Sequence, residues 1–388
     1  MNRNILIALL GACLVFACKD NDKHASGKEV ILIDVTDAKD DTPDRFNSLF
    51  HYKRCIQLES HDSALIGKIG KIKQHERNIY VLDSKTHKVL AFDSLGYYLR
   101  QYAHLGNGPS EYTHLKDFDI VDDTLFLLPR FAKNLLKYDL KTDTCYGSAP
   151  IEKAEGIHVM PDGGYALNLG LGKADGGKQN EPESYAFYKH GRLLLRDIPF
   201  NRHLTGLAYT NGEGSNTFYT TADKVLTGFP FNDTLYTVSP TDGRLTPFVA
   251  VRTNDKHIGI NTPKAEVDEL RSELANSIFA YYNWNGHHFF SYYHGDDPRT
   301  YVLTSPEGNI LFHGHLDMDS NQCTIRVVPY DSQKADKPLL SVLYPYEIIE
   351  LAKRYAHKSP LLEKLASCVT AEGNPVLMFY DFIPPKEQ

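Results

Sequence analysis

The chain has 388 residues, of which 42 are Lys or Arg and 49 are Asp or Glu, so its formal net charge is −7. Hydrophobic residues make up 42% and charged residues 23%, a balance typical of globular proteins that argues against wholesale disorder. The mild negative charge lacks the basic footprint of a nucleic-acid-binding protein, so we predict no nucleic-acid partner.

Residues 1–18 have the pattern of a bacterial export signal. Arg3 supplies a positive charge, and residues 5–17 form an apolar stretch shorter than the roughly 20 residues that span a bilayer. The stretch ends in VFAC at residues 15–18, which is similar to a lipobox, where a small residue precedes a Cys that takes a diacylglycerol. LGAC at residues 10–13 is an alternative lipobox. A further alternative is plain secretion of a protein whose Cys18 is not modified.

The polar sequence after Cys18 favours that residue as the lipid attachment point. Residues 19–29 are polar and are expected to form a flexible tether. We therefore predict a lipid anchor in the outer membrane, with the protein facing the periplasm or the cell surface. The folded part then comprises residues 30–388.

A short β run followed by a polar turn recurs along the chain. When Phe92, Tyr138, Tyr188, Val238 and Leu303 are taken as equivalent, the spacings are 46, 50, 50 and 65 residues. Propeller blades of four strands repeat at roughly 40–50 residues. Further β runs precede and follow each of these positions, so the sequence predicts five complete four-stranded units.

A sixth unit is predicted from both ends of the chain. Residues 324–328, 339–343 and 376–380 supply three strands, and residues 346–371 between them have helical spacing of apolar residues. The fourth strand must come from residues 30–35 or 54–58, and closing the ring in this way removes exposed sheet edges. We predict an all-β, six-bladed β-propeller with a small helical insertion; the alternative is an irregular two-domain β protein.

Residues 106–112, GNGPSEY, resemble the G-x-G-P-x-E-[FY] signature of a family of six-bladed β-propeller lipoproteins from Bacteroidetes-type gut bacteria. These proteins are distant relatives of the NHL-repeat propellers. Three further segments are similar to that family: IYVLD at 79–83, NDTLY at 232–236 and NPVL at 374–377. Ser110, in contrast, stands where the family often has Gly. The resemblance covers the chain from about residue 30 and implies a fold and an envelope location, but no reaction.

The heptapeptide itself is predicted to be a turn. Gly106 and Gly108 permit positive φ, Glu111 can accept hydrogen bonds from turn amides, and Tyr112 can pack between blades. The alternative to this structural role is that Asn107 and Glu111 contact a ligand.

Long loops are predicted to collect on one face of the propeller. In a propeller, the loop from the outermost strand of one blade to the innermost strand of the next lies on the same face as the loop between the second and third strands of a blade. We call this face the long-loop face. Its long segments are residues 104–114, 170–184, 199–216, 253–276, 294–299 and 346–373. Recognition usually lies on such loops. The candidate ligand-binding residues are Asn107, Glu111, Arg130, Asn168, Asp296, Asp297 and Arg299.

Motifs for catalysis or cofactor binding are not found. There is no H-E-x-x-H, G-x-S-x-G or G-x-x-x-x-G-K-[ST] sequence. His313 and His315 would face the same way on a strand and could begin a metal site with Asp317 or Asp319, but on an outermost strand we expect a solvated edge. We predict no catalytic residue, metal ligand or cofactor; Ca²⁺ in the channel cannot be derived from sequence.

These observations favour a binding or scaffold protein. We predict that the long-loop face binds a glycan, a peptide or an envelope protein. The alternative is a propeller-fold lyase or hydrolase with its site at the channel mouth.

Overall fold

The computed structural model describes residues 30–131, 133–172, 182–206, 217–254, 256–294, 298–316, 326–332, 334, 336–355 and 359–385. Cys18, Asp296 and Asp297 lie outside the described residues, as do Asp317 and Asp319.

Six sheets of mainly antiparallel strands form the blades of a propeller, which confirms the predicted fold. The strands of each blade are given from inside to outside. Blade 1 contains β3 (Ile69–His75), β4 (Asn78–Asp83), β5 (Lys88–Phe92) and β6 (Tyr98–Tyr102). Blade 2 contains β7 (Leu115–Val121), β8 (Thr124–Pro129), β9 (Asn134–Asp139) and β10 (Cys145–Pro150), and blade 3 contains β11 (Gly156–Val159), β12 (Tyr165–Asn168), β13 (Glu183–Lys189) and β14 (Arg192–Pro199). Blade 4 contains β15 (Phe218–Thr220), β16 (Val225–Thr227), β17 (Thr234–Val238) and β18 (Leu245–Arg252). Blade 5 contains β19 (Ala275–Trp284), β20 (His287–His294), β21 (Thr300–Thr304) and β22 (Ile310–His315).

The N-terminal part of the chain closes the ring in blade 6. This blade contains β23 (Val327–Val328), β24 (Leu339–Leu343), β25 (Val376–Phe382) and, outermost, β2 (Phe50–Gln57). Strand β2 pairs with β25 from Phe50↔Phe382 to Gln57↔Val376. The missing strand therefore comes from the second of the two predicted segments, and the two ends of the fold are hydrogen-bonded to each other.

The other predicted segment adds a fifth strand to blade 4. Strand β1 (Ile31–Asp34) lies parallel to β18, with Ile31 opposite Val249 and Asp34 opposite Arg252. Helix α1 (Pro43–Leu49) follows and packs Phe46 against Phe312 of blade 5, with 5.3 Å between ring centroids. Residues 30–57 thus contact blades 4, 5 and 6 in turn.

Burial decreases from the middle of each blade to its outer strand. Every residue of β21 is buried, whereas no residue of β14 is. Middle strands pack against neighbouring blades on both faces, and a short continuous apolar run is the pattern of such a strand. This explains why IYVLD or TYVLT runs reveal the blade period.

The remaining helices of the described part of the chain lie outside the blades. They are the 3₁₀ helix Arg202–Leu204 and the α-helices α2 (Lys264–Leu270), α3 (Pro345–Tyr355) and α4 (Pro360–Cys368). Helices α3 and α4 confirm the predicted insertion, and the Arg326 guanidinium holds α3 through Glu347 with contacts of 2.7 and 3.1 Å. Among the described residues, no helix has the length and apolar character needed to cross a bilayer.

Candidate functional site

The axis of the propeller is lined with buried ion pairs. Alternate residues of a strand point to one side, and the innermost strands β3 and β7 place Lys71 and Lys73 opposite Asp117 and Asp119. The Nζ atom of Lys71 lies 3.0 Å from Asp117 Oδ1, and that of Lys73 lies 2.9 Å from Asp119 Oδ1. All four side chains are buried.

The two carboxylates also accept hydrogen bonds from the unpaired edge of β11, the innermost strand of blade 3. Asp117 Oδ2 accepts a hydrogen bond from the Ile157 amide at 2.9 Å, and Asp119 Oδ2 accepts one from the Val159 amide at 2.8 Å. A buried edge strand has unpaired N–H groups that need acceptors. The charges therefore join blades 1, 2 and 3 to one another.

The connection from β23 to β24 adds Asp331 and Lys337 to the buried charges at the axis. Its Asp331 contacts Lys73 Nζ of blade 1 at 2.7 Å and accepts a hydrogen bond from the Thr220 hydroxyl of blade 4 at 2.6 Å. Lys337 donates to the Thr220 carbonyl at 2.5 Å and to that of Tyr330 at 3.3 Å. Because blades 1 and 4 face each other across a six-membered ring, Asp331 and Lys337 lie in the channel between these blades.

Burial and pairing set the protonation of these groups. Burial alone would lower the pKa of Lys73, but Asp119 and Asp331 raise it above its ordinary value. Burial opposes ionisation of Asp119 and Asp331 as well, and Lys73 nevertheless holds their pKa values below the usual range. The three groups are therefore all charged at neutral pH, with the Lys73 ammonium in contact with both carboxylates.

The geometry of the 106–112 turn differs from the prediction in one respect. Glu111 accepts a hydrogen bond from the Gly108 amide at 2.8 Å, and Tyr112 is buried between blades 1 and 2, as predicted. Neither Gly106 nor Gly108 has positive φ. Gly106 is needed for a different reason, since a Cβ there would overlap the Glu111 carboxylate.

Replacing Glu111 tests whether this turn is structural. We expect Glu111→Ala to lower the free energy of unfolding by about 1 kcal/mol, because the Gly108 amide loses its acceptor. Asn107→Ala, at an exposed position of the same turn, should change it by less than about 0.5 kcal/mol. Urea unfolding of both variants measures the difference; equal stabilities would contradict the structural role of Glu111.

The other described candidates lie apart from one another. Arg130 is exposed, with its guanidinium 5.7 Å from the Phe131 ring. Asn168 is buried, and its amide donates to Thr227 Oγ1 at 3.2 Å and to the carbonyl of residue 228 at 2.9 Å. Arg299 donates to Ser291 Oγ at 2.7 Å and to a blade 6 carbonyl at 3.0 Å. Asn168 and Arg299 thus tie adjacent blades together.

Two adjoining cavities open on the long-loop face between blades 4 and 5. The first has a volume of about 400 Å³ and the second of about 290 Å³, and they share Thr253 and Tyr292. The first is lined by Val35, Thr36, Asp40, Thr253, Tyr292, His294, Pro298, Thr300, His313 and His315. The second is lined by residues of 231–233, 251–257 and 274–278 together with Tyr292. We call both together the blade 4–5 cleft.

The sequence predicted a solvated strand edge for His313 and His315. This is wrong for His313, which is buried, whereas His315 is partly exposed. His313 is only 8% exposed, because residues 35–41 cover the outer strand of blade 5. Both imidazoles face Asp40, with 3.2 Å from His313 Nδ1 to Oδ1 and 3.6 Å from His315 Nε2 to Oδ2. His313 Nε2 also lies 3.1 Å from the Tyr292 hydroxyl.

The cleft shifts the titration of two of these groups. Burial lowers the pKa of His313 despite the opposing effect of Asp40. Burial, followed by the Asp40 carboxylate, raises the pKa of Tyr292 to about 12, so its hydroxyl stays protonated at neutral pH. Within the described residues, no three His, Cys, Asp or Glu side chains already surround one point as metal ligands do.

Most cleft residues were missed by sequence reasoning. Asp40, Thr253 and Tyr292 are far apart in the chain, and no motif connects them. The only signal was the His-x-His spacing of residues 313–315, which correctly placed both imidazoles on one side of a strand.

The family model of a domain of unknown function, DUF4934, matches residues 30–381. No curated protein matches the chain. Among solved structures, a protein from Bacteroides fragilis described as exported is 15% identical, with a TM-score of 0.70, and the match covers 92% of this chain and 100% of that one. A DUF4221 family member from Bacteroides vulgatus is 8% identical with a TM-score of 0.52, covering 87% and 98%. Both likenesses concern the fold alone.

Proposed function

The chain belongs to the DUF4934 family, and we propose that it is an exported propeller that binds a hydroxyl-rich glycan in the blade 4–5 cleft. The observation that carries this proposal is the pair of adjoining cavities with Thr253 and Tyr292 in their common wall. Their volumes suit one or two sugar rings, since small-molecule sites are typically about 300–1,000 Å³.

The lining of the first cavity supports a neutral polyol as ligand. Thr36, Thr253 and Thr300 supply hydroxyl groups that both donate and accept hydrogen bonds, and Asp40 supplies acceptors. No Lys or Arg is found among the described residues that line this cavity, so an anionic ligand would lack a counter-charge. Tyr292 lines this cavity as well, and its hydroxyl is a further donor and acceptor.

The N-terminal segment supports presentation of this cleft away from a membrane. Strand β1 runs parallel to β18, from the short-turn side toward the long-loop face, where Asp34 pairs with Arg252. A tether of residues 19–29 attached to lipidated Cys18 would therefore join the propeller at the side opposite the cleft. The exported neighbour from B. fragilis is consistent with this outer-membrane placement.

The structure gives less support to the alternative of a lyase or hydrolase at the channel mouth. Asp117, Asp119 and Asp331 are each held by a lysine and by further donors. Carboxylates fixed in this way are poorly suited to moving protons. The enzyme alternative stays a prediction.

Blocking the common wall of the cavities tests the proposal. We expect the full chain to bind members of an immobilised array of mono- and oligosaccharides, and Thr253→Trp to weaken that binding at least tenfold by filling both cavities. Thr246→Trp is the matched control, because Thr246 is exposed at the other end of the same strand.

The outcomes separate glycan binding from the other roles. Equal binding by wild type and Thr253→Trp would place recognition elsewhere on the molecule. The proposal would be contradicted if the protein bound no member of the glycan array. If pull-downs from membranes then yielded one stoichiometric protein partner, a scaffold role would be favoured.

A further inference from the structure

We propose that Tyr292, His313 and Asp40 form a Tyr–His–Asp relay in the first cavity of the blade 4–5 cleft, and that this relay hydrolyses a neutral carboxylic ester. Tyr292 is the nucleophile, His313 is the general base and Asp40 is a positioning residue. The choice of an acylated sugar as the natural substrate rests on the proposed glycan binding, whereas the chemistry of the three side chains does not.

The sheet of blade 5 brings the tyrosine and the histidine together. Tyr292 of β20 pairs with Thr300 of β21, which in turn pairs with His315 of β22. Paired residues of neighbouring strands share one face of the sheet, and so do residues two positions apart, so His313 lies on the same face as His315. The Tyr292 hydroxyl and His313 Nε2 are 3.1 Å apart, and both residues line the first cavity.

Asp40 completes the relay from the N-terminal segment. Its Oδ1 atom lies 3.2 Å from His313 Nδ1. Because a carboxylate only accepts hydrogen bonds, the hydrogen of the neutral imidazole is on Nδ1, and Nε2 is left to accept from the Tyr292 hydroxyl. The order of hydroxyl, imidazole and carboxylate is that of the Ser–His–Asp triad, in which the imidazole activates the hydroxyl and the carboxylate orients the imidazole.

The surroundings of the relay favour this direction of proton transfer. Burial lowers the pKa of His313, so its imidazole is neutral and can accept a proton at pH 7. Burial and the Asp40 charge raise the pKa of Tyr292 to about 12, while a hydrogen bond with Thr300 acts in the opposite direction and so favours the phenolate. The Tyr292 oxygen therefore becomes a nucleophile only when His313 takes its proton.

The lining of the first cavity indicates which kind of bond is cleaved. Hydrolysis of a glycosidic bond typically needs a pair of carboxylates, and Asp40 is the one carboxylate among the described residues of this lining. The same described residues include no Lys or Arg that would bind a phosphate or sulfate ester. A neutral carboxylic ester, such as an acetyl group on a sugar hydroxyl, needs neither feature.

The reaction has two steps. The Tyr292 oxygen attacks the ester carbonyl carbon while His313 Nε2 takes the phenol proton, and this proton passes to the departing alcohol, which leaves the acyl group on Tyr292. Water then attacks the acyl carbon, His313 takes a proton from the water, and the proton returns to the Tyr292 oxygen as the acid leaves. One ester and one water thus give one alcohol and one carboxylic acid.

Hydrolysis of 4-nitrophenyl acetate and of an acetylated monosaccharide by the full chain tests the proposal. We expect Tyr292→Phe to lower kcat at least a hundredfold and His313→Gln at least tenfold. Tyr146→Phe is the matched control, because it removes the hydroxyl of an exposed tyrosine in blade 2, and it should hydrolyse both esters like the wild type. Mass spectrometry of the wild type, quenched with acid during turnover of 4-nitrophenyl acetate, should find an acetyl group on Tyr292.

The pH profile separates positioning by Asp40 from a purely structural role. The value of kcat/KM should rise with pH as His313 loses its proton, with a midpoint below the ordinary 6.5 of histidine. Asp40→Asn should lower kcat about tenfold and move this midpoint further down, because Asp40 raises the pKa of His313. Two other groups act on His313, His315 lowering its pKa and Asp41 raising it, and both remain in the variant.

The outcomes distinguish the relay from the proposed glycan binding. Urea unfolding midpoints show whether each variant is folded. Absence of hydrolysis of both esters, equal rates for wild type and Tyr292→Phe, or a hydrolysing wild type without acetyl on Tyr292 would each overturn the relay. Hydrolysis of 4-nitrophenyl acetate alone would contradict the acylated sugar as substrate, and ester hydrolysis without binding to the glycan array would contradict the proposed function instead.

Discussion

Replacing Lys73 with Met should lower the free energy of unfolding by about 3–5 kcal/mol, the range for breaking a buried ion pair by removing one partner. Lys73 lies 2.9 Å from Asp119 and 2.7 Å from Asp331, and all three side chains are buried. The variant removes the cation that contacts both carboxylates. Urea unfolding at pH 7 measures the loss.

A surface pair provides the matched control. Lys141 lies 2.8 Å from Asp123, but the two side chains are 74% and 58% exposed. Lys141→Met should therefore change the free energy of unfolding far less than Lys73→Met does, because solvent screens an exposed pair. A loss for Lys73→Met as small as that of the control would show that the channel charges do not hold the blades together.

A triple variant distinguishes lost attraction from uncompensated charge. When Asp119 and Asp331 are also replaced by Leu, the three paired charges are removed together, and apolar replacements of buried ion pairs are often neutral or stabilising. We expect the triple variant to be more stable than Lys73→Met alone. If it is less stable, the hydrogen bonds from Val159 and Thr220 to these carboxylates carry the larger share.

The fold could be predicted because its signal is local and repeated. Each blade has middle strands buried on both faces, and the resulting apolar runs recur with the blade period. The partner of β1 could not be predicted in this way. Its sequence suits any sheet edge, and the choice of β18 depends on contacts between Ile31 and Val249, which are distant in the chain.

The candidate site was predicted less well because polarity next to a loop does not reveal where a side chain points. Asn168 and Arg299 are polar and lie at strand ends, yet both donate to neighbouring blades. His313 was expected to be solvated because outermost strands usually are, and its burial results from residues 35–41. In contrast, the alternating charges of KIK at 71–73 and DFD at 117–119 were a visible signal of the channel network.

Acidification should destabilise the protein through His288 before Asp119 and Asp331 are protonated. This side chain is 1% exposed, its Nδ1 atom lies 2.7 Å from the Tyr281 hydroxyl, and its Nε2 atom has no hydrogen-bond partner. Burial, with a smaller effect from His287, lowers the pKa of His288 to about 4. The folded state therefore resists taking up a proton that the unfolded chain accepts near pH 6.5.

The sign of the effect follows from this difference in proton binding. Between pH 6.5 and 4 the unfolded state binds more protons, so stability falls as the pH falls through this window. A difference from 6.5 to about 4 corresponds to a loss of about 3 kcal/mol between pH 7 and pH 4. Asp119 and Asp331 do not contribute there, because Lys73 holds their pKa values below the usual 3.8.

His288→Asn isolates this contribution. Asn keeps a polar group near Tyr281 but does not titrate, so the variant's free energy of unfolding should fall by about 3 kcal/mol less than the wild type's over the same pH range. His51→Asn, at an exposed position, should follow the wild type. Urea midpoints at pH 7, 5.5 and 4 give the comparison. Parallel pH profiles for wild type and His288→Asn would show that another group causes the acid sensitivity.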